Sequence, residues 1–296
     1  MSHTGRCPLD FEVWPEAIEL GRLFAEQGYE LALVGGPVRD LLLHRKSHDL
    51  DFCSSARPEQ FEPILRRWGH DGFWDMGRKF GTLGAMRRRA DGTEVKVEVT
   101  TYRSDTYDPD SRKPEVNYGD TLEGDLSRRD FTVNAMALRV PDLEFVDPFG
   151  GASDLVKGVL RTPVDPSQSF DDDPLRMMRA VRFVAQLGFS IAPDAAEAIS
   201  SMRDRIEIVS AERVRDELTK MLLSDRPRAG LEALVESGLA DIVFPEIPAL
   251  QLQIDEHHRH KDVFEHTMIV LERAIALETG PDGPVPAPDL TLRLAA

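Results

Sequence analysis

The 296-residue chain has little cysteine, few aromatic residues and no long hydrophobic run. Its two cysteines, Cys7 and Cys53, are too few and too far apart for a disulfide framework or a zinc site, so we expect free thiols. No apolar run reaches the roughly 18 residues needed to cross a bilayer, and the first ten residues contain no apolar signal segment. We therefore expect a cytoplasmic protein that does not associate with membranes.

Positive charge is also in deficit, since 36 Lys and Arg against 52 Asp and Glu give a net charge of −16. This argues against a general nucleic-acid coat, because neutralising phosphates requires clustered cations. Residues 66–89 are locally basic, and this segment is either positive surface or a set of solvated helix and strand faces. The length and the 41% hydrophobic content predict two or three structural units with at least one sizeable core.

A glycine pair follows a short apolar run. Residues 29–34 predict a buried strand that ends at Gly35 and Gly36. Glycines permit φ > 0 and let backbone N–H groups approach an anion, and Pro37 suits the first turn of a helix that carries Arg39. The segment predicts a triphosphate site, with an ordinary turn as the alternative.

A carboxylate pair comes next. Asp49 and Asp51 alternate with Leu50 and Phe52, so strand geometry places both carboxylates on one face and both apolar side chains toward the core. Neighbouring carboxylates repel, and a hard divalent ion such as Mg²⁺ offsets that repulsion. A solvated strand face is the alternative for this segment alone. The order strand, Gly-Gly, helix, strand favours nucleotidyl transfer.

The first half of the chain mixes helix and strand signals. Residues 58–68 predict a helix, and residues 79–89 and 93–103 predict two strands joined by an Asp-Gly turn. In the second strand valines alternate with polar residues, so Glu98 leaves the core face as the two aspartates do. Glu98 is a candidate third carboxylate, with an exposed strand glutamate as the alternative.

Beyond residue 103 the mixed helix and strand signals give way to an irregular segment and later to mainly helical signals. Residues 104–122 predict a long mobile loop. Ser127 is predicted to cap a helix that runs to Leu138, with Arg128, Asp130 and Asn134 as its polar candidates. A strand is expected around 143–146 and a hinge at 147–151. Beyond these, helices are predicted at 174–187, 195–202, 211–223 and 229–237.

The first of these later helices carries charged residues at a spacing of three, so Asp173 and Arg176 can share a face. Asp173 would be an N-cap and Arg176 its ion-pair partner, together worth about 1 kcal/mol. Alternatively, a fixed carboxylate and guanidinium offer acceptors and donors to a base edge. The helix alone favours the structural role.

Taken in order, these motifs resemble those of class II tRNA nucleotidyltransferases, the CCA-adding enzymes, which share their head with bacterial poly(A) polymerases. Residues 35–40 with Asp49 and Asp51 resemble the catalytic motif, residues 128–135 the ribose-recognition motif and residues 147–155 the head–neck hinge. Residues 172–176 resemble the nucleobase-reading motif and residues 212–217 its supporting helix. Asp172 stands where members of this family commonly have Glu.

The resemblance implies an α+β fold with a polymerase-beta-like head and mixed sheet (residues 1–158), an all-helical neck (159–245) and the start of an HD-type domain (246–296). It implies template-independent addition of CCA to tRNA, through the 3′ end and acceptor arm, from CTP and ATP. Two Mg²⁺ ions would be held by Asp49 and Asp51, and Glu98 would join them in catalysis. The nucleotide would be bound by Gly35, Gly36, Arg39, Arg128, Asp130, Asn134, Asp172, Asp173, Arg176 and Arg179.

Other functions stay open. Poly(A) polymerase, CC-only and A-only enzymes share the same chemistry, although residues 77–83 favour the CCA branch over poly(A) polymerase. Residues 257–266 resemble the start of an HD-type phosphohydrolase with His266 as its first metal ligand, but no His-Asp dipeptide follows, so we expect an incomplete hydrolase. A third alternative is an RNA-binding module without catalysis, against which the paired aspartates argue.

Overall fold

A computed structural model describes residues 3–6, 14–45, 49–103, 106–108, 111–115, 119, 121–252, 263–278 and 288–296. The chain divides into two compact units, one of residues 1–157 with 161–164 and one of residues 158–160 with 165–296. The three-part division expected from the sequence stays a prediction. Within the described ranges, no helix is long and apolar enough to cross a membrane.

The first unit is an α+β structure built on one mixed sheet. Its strands are β1 (His3–Arg6), β2 (Leu31–Val34), β3 (Asp49–Ser54), β4 (Gly72–Trp74), β5 (Thr82–Arg88), β6 (Glu94–Thr101), β7 (Thr106–Asp108), β8 (Ser111–Glu115), β9 (Ala137–Val140) and β10 (Glu144–Asp147). Its helices are α1 (Pro15–Ala25), α2 (Gly36–Leu42), α3 (Pro58–Trp68), α4 (Leu122–Ser127) and α5 (Gly151–Lys157). The mixed α+β fold class is confirmed.

Eight of these strands form the sheet, in the order β1-β10-β9-β2-β3-β6-β5-β4. The β3–β6 pair is parallel, whereas the other neighbours are antiparallel. β2 is buried along its whole length, and on β6 the three valines are buried while the alternating Glu94, Lys96 and Glu98 are exposed. α1 crosses so close to β9 that a Cβ at Gly21 would lie 2.7 Å from the Val140 carbonyl carbon, so no larger residue fits there.

The predicted helix from Ser127 to Leu138 is wrong. α4 ends at Ser127, whose Oγ donates to the Gly124 carbonyl at 2.8 Å instead of capping a new helix. The chain then forms a short 3₁₀ turn and enters β9, which pairs with β2 on one side and β10 on the other. Phe131, Ala135 and Leu138 are buried as expected, but their spacing fits this turn and strand as well as a helix.

Two further predictions need correction. The strand predicted over 79–89 begins at Thr82, because a 3₁₀ turn at Arg78–Phe80 ends in Gly81 with φ 79°. The predicted loop over 104–122 contains the two-stranded hairpin β7–β8, and the helix that follows begins at Leu122, capped by Thr121 Oγ1. Residues 104–105, 109–110, 116–118 and 120 lie outside the described part of the chain.

The second unit is largely helical, with α6 (Pro166–Asp172), α7 (Leu175–Leu187), α8 (Pro193–Met202), α9 (Ala211–Leu222), α10 (Pro227–Glu236), α11 (Ala240–Val243), α12 (Glu246–Ala249), α13 (Val263–Ala276) and α14 (Leu290–Ala295). Two short strands, β11 (Val159–Leu160) and β12 (Ser190–Ile191), pair in parallel. The four predicted helices correspond to α7, α8, α9 and α10 within two residues at each end, so these predictions are confirmed.

α7 packs against both α9 and α10. Arg182 on α7 forms a buried ion pair with Glu217 on α9 at 2.5 Å and also donates to Gln186, so the charge is paired rather than isolated in the core. His266 lies in α13, whereas residues 257–262 of the HD-like segment fall outside the described chain. The HD-type domain therefore stays a prediction.

Candidate active site

The carboxylates of the first unit share one face of the sheet. On β3, Asp49 and Asp51 are exposed while the alternating Leu50 and Phe52 are each 1% exposed, as strand geometry predicts. The parallel register places Asp51 directly opposite Glu98 of β6. A cavity of about 370 Å³ lies over this face and is lined by Asp49, Leu50, Asp51, Trp74, Lys96 and Glu98.

The electrostatics of this cluster favour a bound cation. Although the Asp51 side chain is accessible to solvent, the protein atoms packed around it partly desolvate the carboxyl and raise its pKa. The nearby charges of Glu98 and Asp49 raise the pKa further, and Arg129 opposes them. Ionised Asp51 thus carries an unfavourable charge that a divalent ion would offset. The donors are oxygens, the type that Mg²⁺ prefers, and Mg²⁺ commonly takes one or two carboxylates and completes its shell with water and phosphate oxygens. The residues present fit such an ion.

The glycine loop lies at the end of β2. Gly35 has φ 74° and ψ −135°, a conformation that side chains disfavour, and Gly36 begins α2. A Cβ at Gly35 would lie 2.9 Å from Nη1 of Arg129, so the loop and this guanidinium are close neighbours. Arg129 therefore adjoins the glycine loop, and its charge also acts on Asp51.

Arg129 is a candidate that sequence reasoning missed, because only its neighbour Arg128 was selected. The Asp125 carboxylate binds both arginines, with Oδ1 2.8 Å from Nη2 of Arg128 and Oδ2 3.1 Å from Nη2 of Arg129. Asp125 is fully buried, which alone would raise its pKa, but the two guanidiniums bring the pKa below its ordinary value. The spacing of three and four residues between Asp125 on α4 and the two arginines after the helix was the signal that could have found this set.

A second network joins the glycine loop to the polar residues 95 positions later. Arg39 Nη1 donates to Asn134 Oδ1 at 2.8 Å, and Asn134 Nδ2 donates to Asp130 Oδ1 at 3.0 Å. Arg39 also pairs with Asp40 at 2.7 Å. The structure thus brings together Arg39, Asp130 and Asn134, which the sequence had placed in separate motifs.

The other predicted residues lie in the second unit. Asp173 follows α6, and its Oδ1 accepts from the Leu175 N–H at 3.2 Å while its Oδ2 lies 3.2 Å from Arg213 of α9. Arg176 is 6% exposed and donates to both the Oγ and the carbonyl of Ser169. Asp173 therefore accepts from the first backbone N–H of α7 and has Arg213 as an ion-pair partner.

The two remaining candidates flank this pair. Asp172 is the last residue of α6, and the Arg179 guanidinium lies over the Phe183 ring at 5.6 Å from its centroid. All four residues are on α6, α7 or their junction.

The basic segment 66–89 is not an uncompensated positive surface. Five of its arginines have carboxylate partners, in the pairs Arg66–Glu62, Arg78–Glu62, Arg87–Glu19, Arg88–Glu94 and Arg89–Glu16. The Arg66–Glu62 pair lies within α3, and the other four ion pairs connect β5 and its flanking turns to α1, α3 and β6. The sequence left open whether this segment is positive surface or a set of solvated helix and strand faces. The ion pairs favour the second alternative for these five arginines.

A mixed sheet that presents paired carboxylates beside a Gly-Gly turn, with a helical unit after it, is the architecture that the resemblance to the poly(A) polymerase head implied. Residues 31–161 match the family described as the poly A polymerase head domain, and residues 188–250 match the probable RNA and SrmB-binding site of polymerase A.

Known proteins resemble the chain in both sequence and structure. The CCA-adding enzyme of Lactobacillus johnsonii is 37% identical over 233 residues, which is 78% of this chain and 56% of that enzyme. The Bacillus stearothermophilus CCA-adding enzyme in complex with CTP superposes with a TM-score of 0.66 and 36% identity over 77% of this chain and 53% of that one. The Thermotoga maritima CCA-adding enzyme complexed with tRNA superposes with a TM-score of 0.68 and 27% identity over 89% of this chain and 58% of that one.

The chain belongs to the family of nucleotidyltransferases that comprises CCA-adding enzymes and bacterial poly(A) polymerases. It spans 56% of the length of the L. johnsonii enzyme.

Proposed function

We propose that this chain adds CCA to the 3′ ends of tRNA without a nucleic-acid template, using CTP and ATP. The observation that carries the proposal is the register of β3 and β6, which brings Asp49, Asp51 and Glu98 to one face beside the glycine loop. Relatives named CCA-adding enzymes at 37% identity, and similar structures with CTP and with tRNA, support it.

Asp49 and Asp51 would hold two Mg²⁺ ions, which would supply Lewis-acid chemistry by activating the RNA 3′-hydroxyl and stabilising the leaving pyrophosphate. Glu98 lies opposite Asp51 and would add a third negative group to the same face. The charges that raise the pKa of Asp51 are those a cation would neutralise, which supports this assignment.

The triphosphate would be bound at the glycine loop. Gly35 allows its backbone N–H to face an anion, and the Arg129 guanidinium adjoins it with charge fixed by buried Asp125. Arg128 is held by the same carboxylate. The Arg39–Asn134–Asp130 network would position polar groups for the ribose, since each member is already oriented by its neighbour.

The nucleobase would be selected by Asp173 and Arg176, with Asp172 and Arg179 beside them. Arg213 fixes Asp173 and Ser169 fixes Arg176, so the carboxylate and guanidinium are held before a base arrives. Fixed donors and acceptors can discriminate cytosine and adenine from the other bases by their edges. The proposed selection therefore requires no template strand.

The test is single-nucleotide extension of tRNA transcripts that end before CCA, after the first C or after both Cs. The proposal predicts two CMP additions with CTP alone, one AMP addition on the CC-ending transcript, and a complete CCA end with both nucleotides. Long tails from ATP alone would indicate poly(A) polymerase, and arrest after CC or activity with ATP only would indicate the CC-only or A-only enzymes. Asp49→Ala and Asp51→Ala should abolish incorporation, and near-normal turnover in either would refute the assignment.

A further inference from the structure

Trp74 reaches the carboxylate face from an edge strand that belongs to no motif of the sequence. The register pairs Trp74 of β4 with Gly84 of β5, and Gly84 with Glu98 of β6. Glu98 in turn lies opposite Asp51 of β3. Trp74, Gly84, Glu98 and Asp51 therefore form one row across four neighbouring strands.

The indole crosses the middle of this row. A Cβ at Gly84 would lie 2.0 Å from Cε2 and 2.3 Å from Nε1 of Trp74, so the ring covers Gly84 at a distance that only glycine permits. From that position the Trp74 Nε1–H donates to Glu98 Oε1 at 3.2 Å. Trp74 also lines the cavity that contains Asp49 and Asp51.

The chemistry of the donor suits a carboxylate that must keep its charge. An indole N–H only donates, so it fixes one carboxylate oxygen without neutralising the group. Lys96, a cation that lines the same cavity, has its ammonium 3.8 Å from Glu94. A neutral donor at Glu98 thus orients the carboxylate while leaving its negative charge available to the site.

We propose that Trp74 is a positioning residue that acts through Glu98, fixing Oε1 so that the other oxygen of Glu98 is directed to the ion-binding face at Asp51. The inference rests on the proposed function, because it assigns the support of the third carboxylate in that site. Gly84 is also required for this arrangement, because its missing Cβ leaves the space that the Trp74 ring occupies.

The test compares Trp74→Phe, which keeps a ring over Gly84 and removes the N–H, with the wild-type chain. Groups that orient a metal site from outside typically change affinity or activity by about 10-fold to 100-fold. We expect a loss of about 10-fold in kcat, a KM for CTP within about 2-fold, and Mn²⁺ binding in the presence of a non-reactive CTP analogue weakened by about 10-fold. Trp68→Phe is the matched control, because the buried Trp68 Nε1 has no hydrogen-bond partner among the described residues.

The decisive measurement repeats Trp74→Phe in a Glu98→Ala background. If Trp74 acts through Glu98, the substitution changes neither kcat nor Mn²⁺ affinity further in that background. An equal loss in both backgrounds, or no loss in either, would overturn the proposal. If the wild-type chain transfers no nucleotide, the proposed function fails. Mn²⁺ binding by the wild type, Trp74→Phe, Glu98→Ala and the double variant still tests the role of Trp74 in that case.

Discussion

Replacing Asp51 with Asn should stabilise the metal-free protein while abolishing nucleotide transfer. Asp51 lies opposite Glu98 in the ladder, and partial desolvation together with Glu98 and Asp49 raises its pKa. Like charges directly opposite on two strands are destabilising, within a range of about 0.2–1 kcal/mol for such pairs. Asn keeps the shape and removes the charge, so we expect an increase of about 0.5 kcal/mol in the free energy of unfolding and of about 1–2 °C in Tm.

The pH dependence has a defined sign. A carboxyl whose pKa is higher in the folded than in the unfolded state binds its proton more tightly when folded, so its ionisation costs stability above that pKa. Well below the ordinary value of 3.8, Asp51 is protonated in both states and the cost disappears. The advantage of Asp51→Asn should therefore be largest near neutral pH and diminish as the pH falls toward 4.

Thermal unfolding in EDTA, followed by circular dichroism from about pH 4 to pH 8, measures this difference. Glu94→Gln is the matched control, because Glu94 is a carboxylate on β6, the neighbour of β3, but pairs with Arg88 at 2.8 Å. The Tm of this variant should stay unchanged or fall slightly. Adding Mg²⁺ and CTP should stabilise the wild type more than Asp51→Asn. A Tm of Asp51→Asn below that of the wild type at neutral pH would refute the charge-repulsion account.

Three further substitutions test the neighbouring elements. Gly35→Ala should lower the free energy of unfolding by about 1–2 kcal/mol and raise the KM for CTP, because Gly35 has φ 74° and an added Cβ would lie 2.9 Å from Arg129. Urea unfolding measures the loss of stability. Gly36→Ala is its control, because a Cβ at Gly36 would have its nearest contact at 3.7 Å. Asp125→Asn should lower the free energy of unfolding by about 3 kcal/mol near neutral pH, as measured by urea unfolding. The difference from the wild type should shrink as the pH falls through the lowered pKa of Asp125. Asp173→Ala should reduce discrimination of CTP over UTP by about 10-fold in single-nucleotide extension. Loss of the Leu175 N–H acceptor and of the Arg213 ion pair should lower the free energy of unfolding by about 1 kcal/mol and Tm by about 2–4 °C.

The sequence predicts elements whose signal is local. β2, the glycine loop, α2 and β3 follow from an apolar run, a residue pair that permits φ > 0, and strict alternation. The helices α7 to α10 follow from apolar periodicity over ten or more residues. In each case the residues that decide the structure lie within one element, so no partner strand is needed to identify it.

Contacts between distant elements could not be predicted in the same way. That Glu98 lies opposite Asp51 depends on the parallel pairing of β3 with β6, which no local pattern contains. The helix predicted through Phe131 failed for the same reason, because the strand β9 is stabilised by hydrogen bonds to β2 and β10. Trp74 belongs to no motif, and only the sheet register brings it to Glu98.

The central claim is that Asp49 and Asp51 bind the ions that drive nucleotide transfer. Its most direct test is anomalous diffraction from crystals grown with Mn²⁺ and a non-reactive CTP analogue. The account predicts anomalous peaks within coordination distance of the Asp49 and Asp51 carboxylates and of the triphosphate, with the cytosine at Asp173 and Arg176. Mn²⁺ and nucleotide bound elsewhere, with both aspartates free of metal, would contradict it.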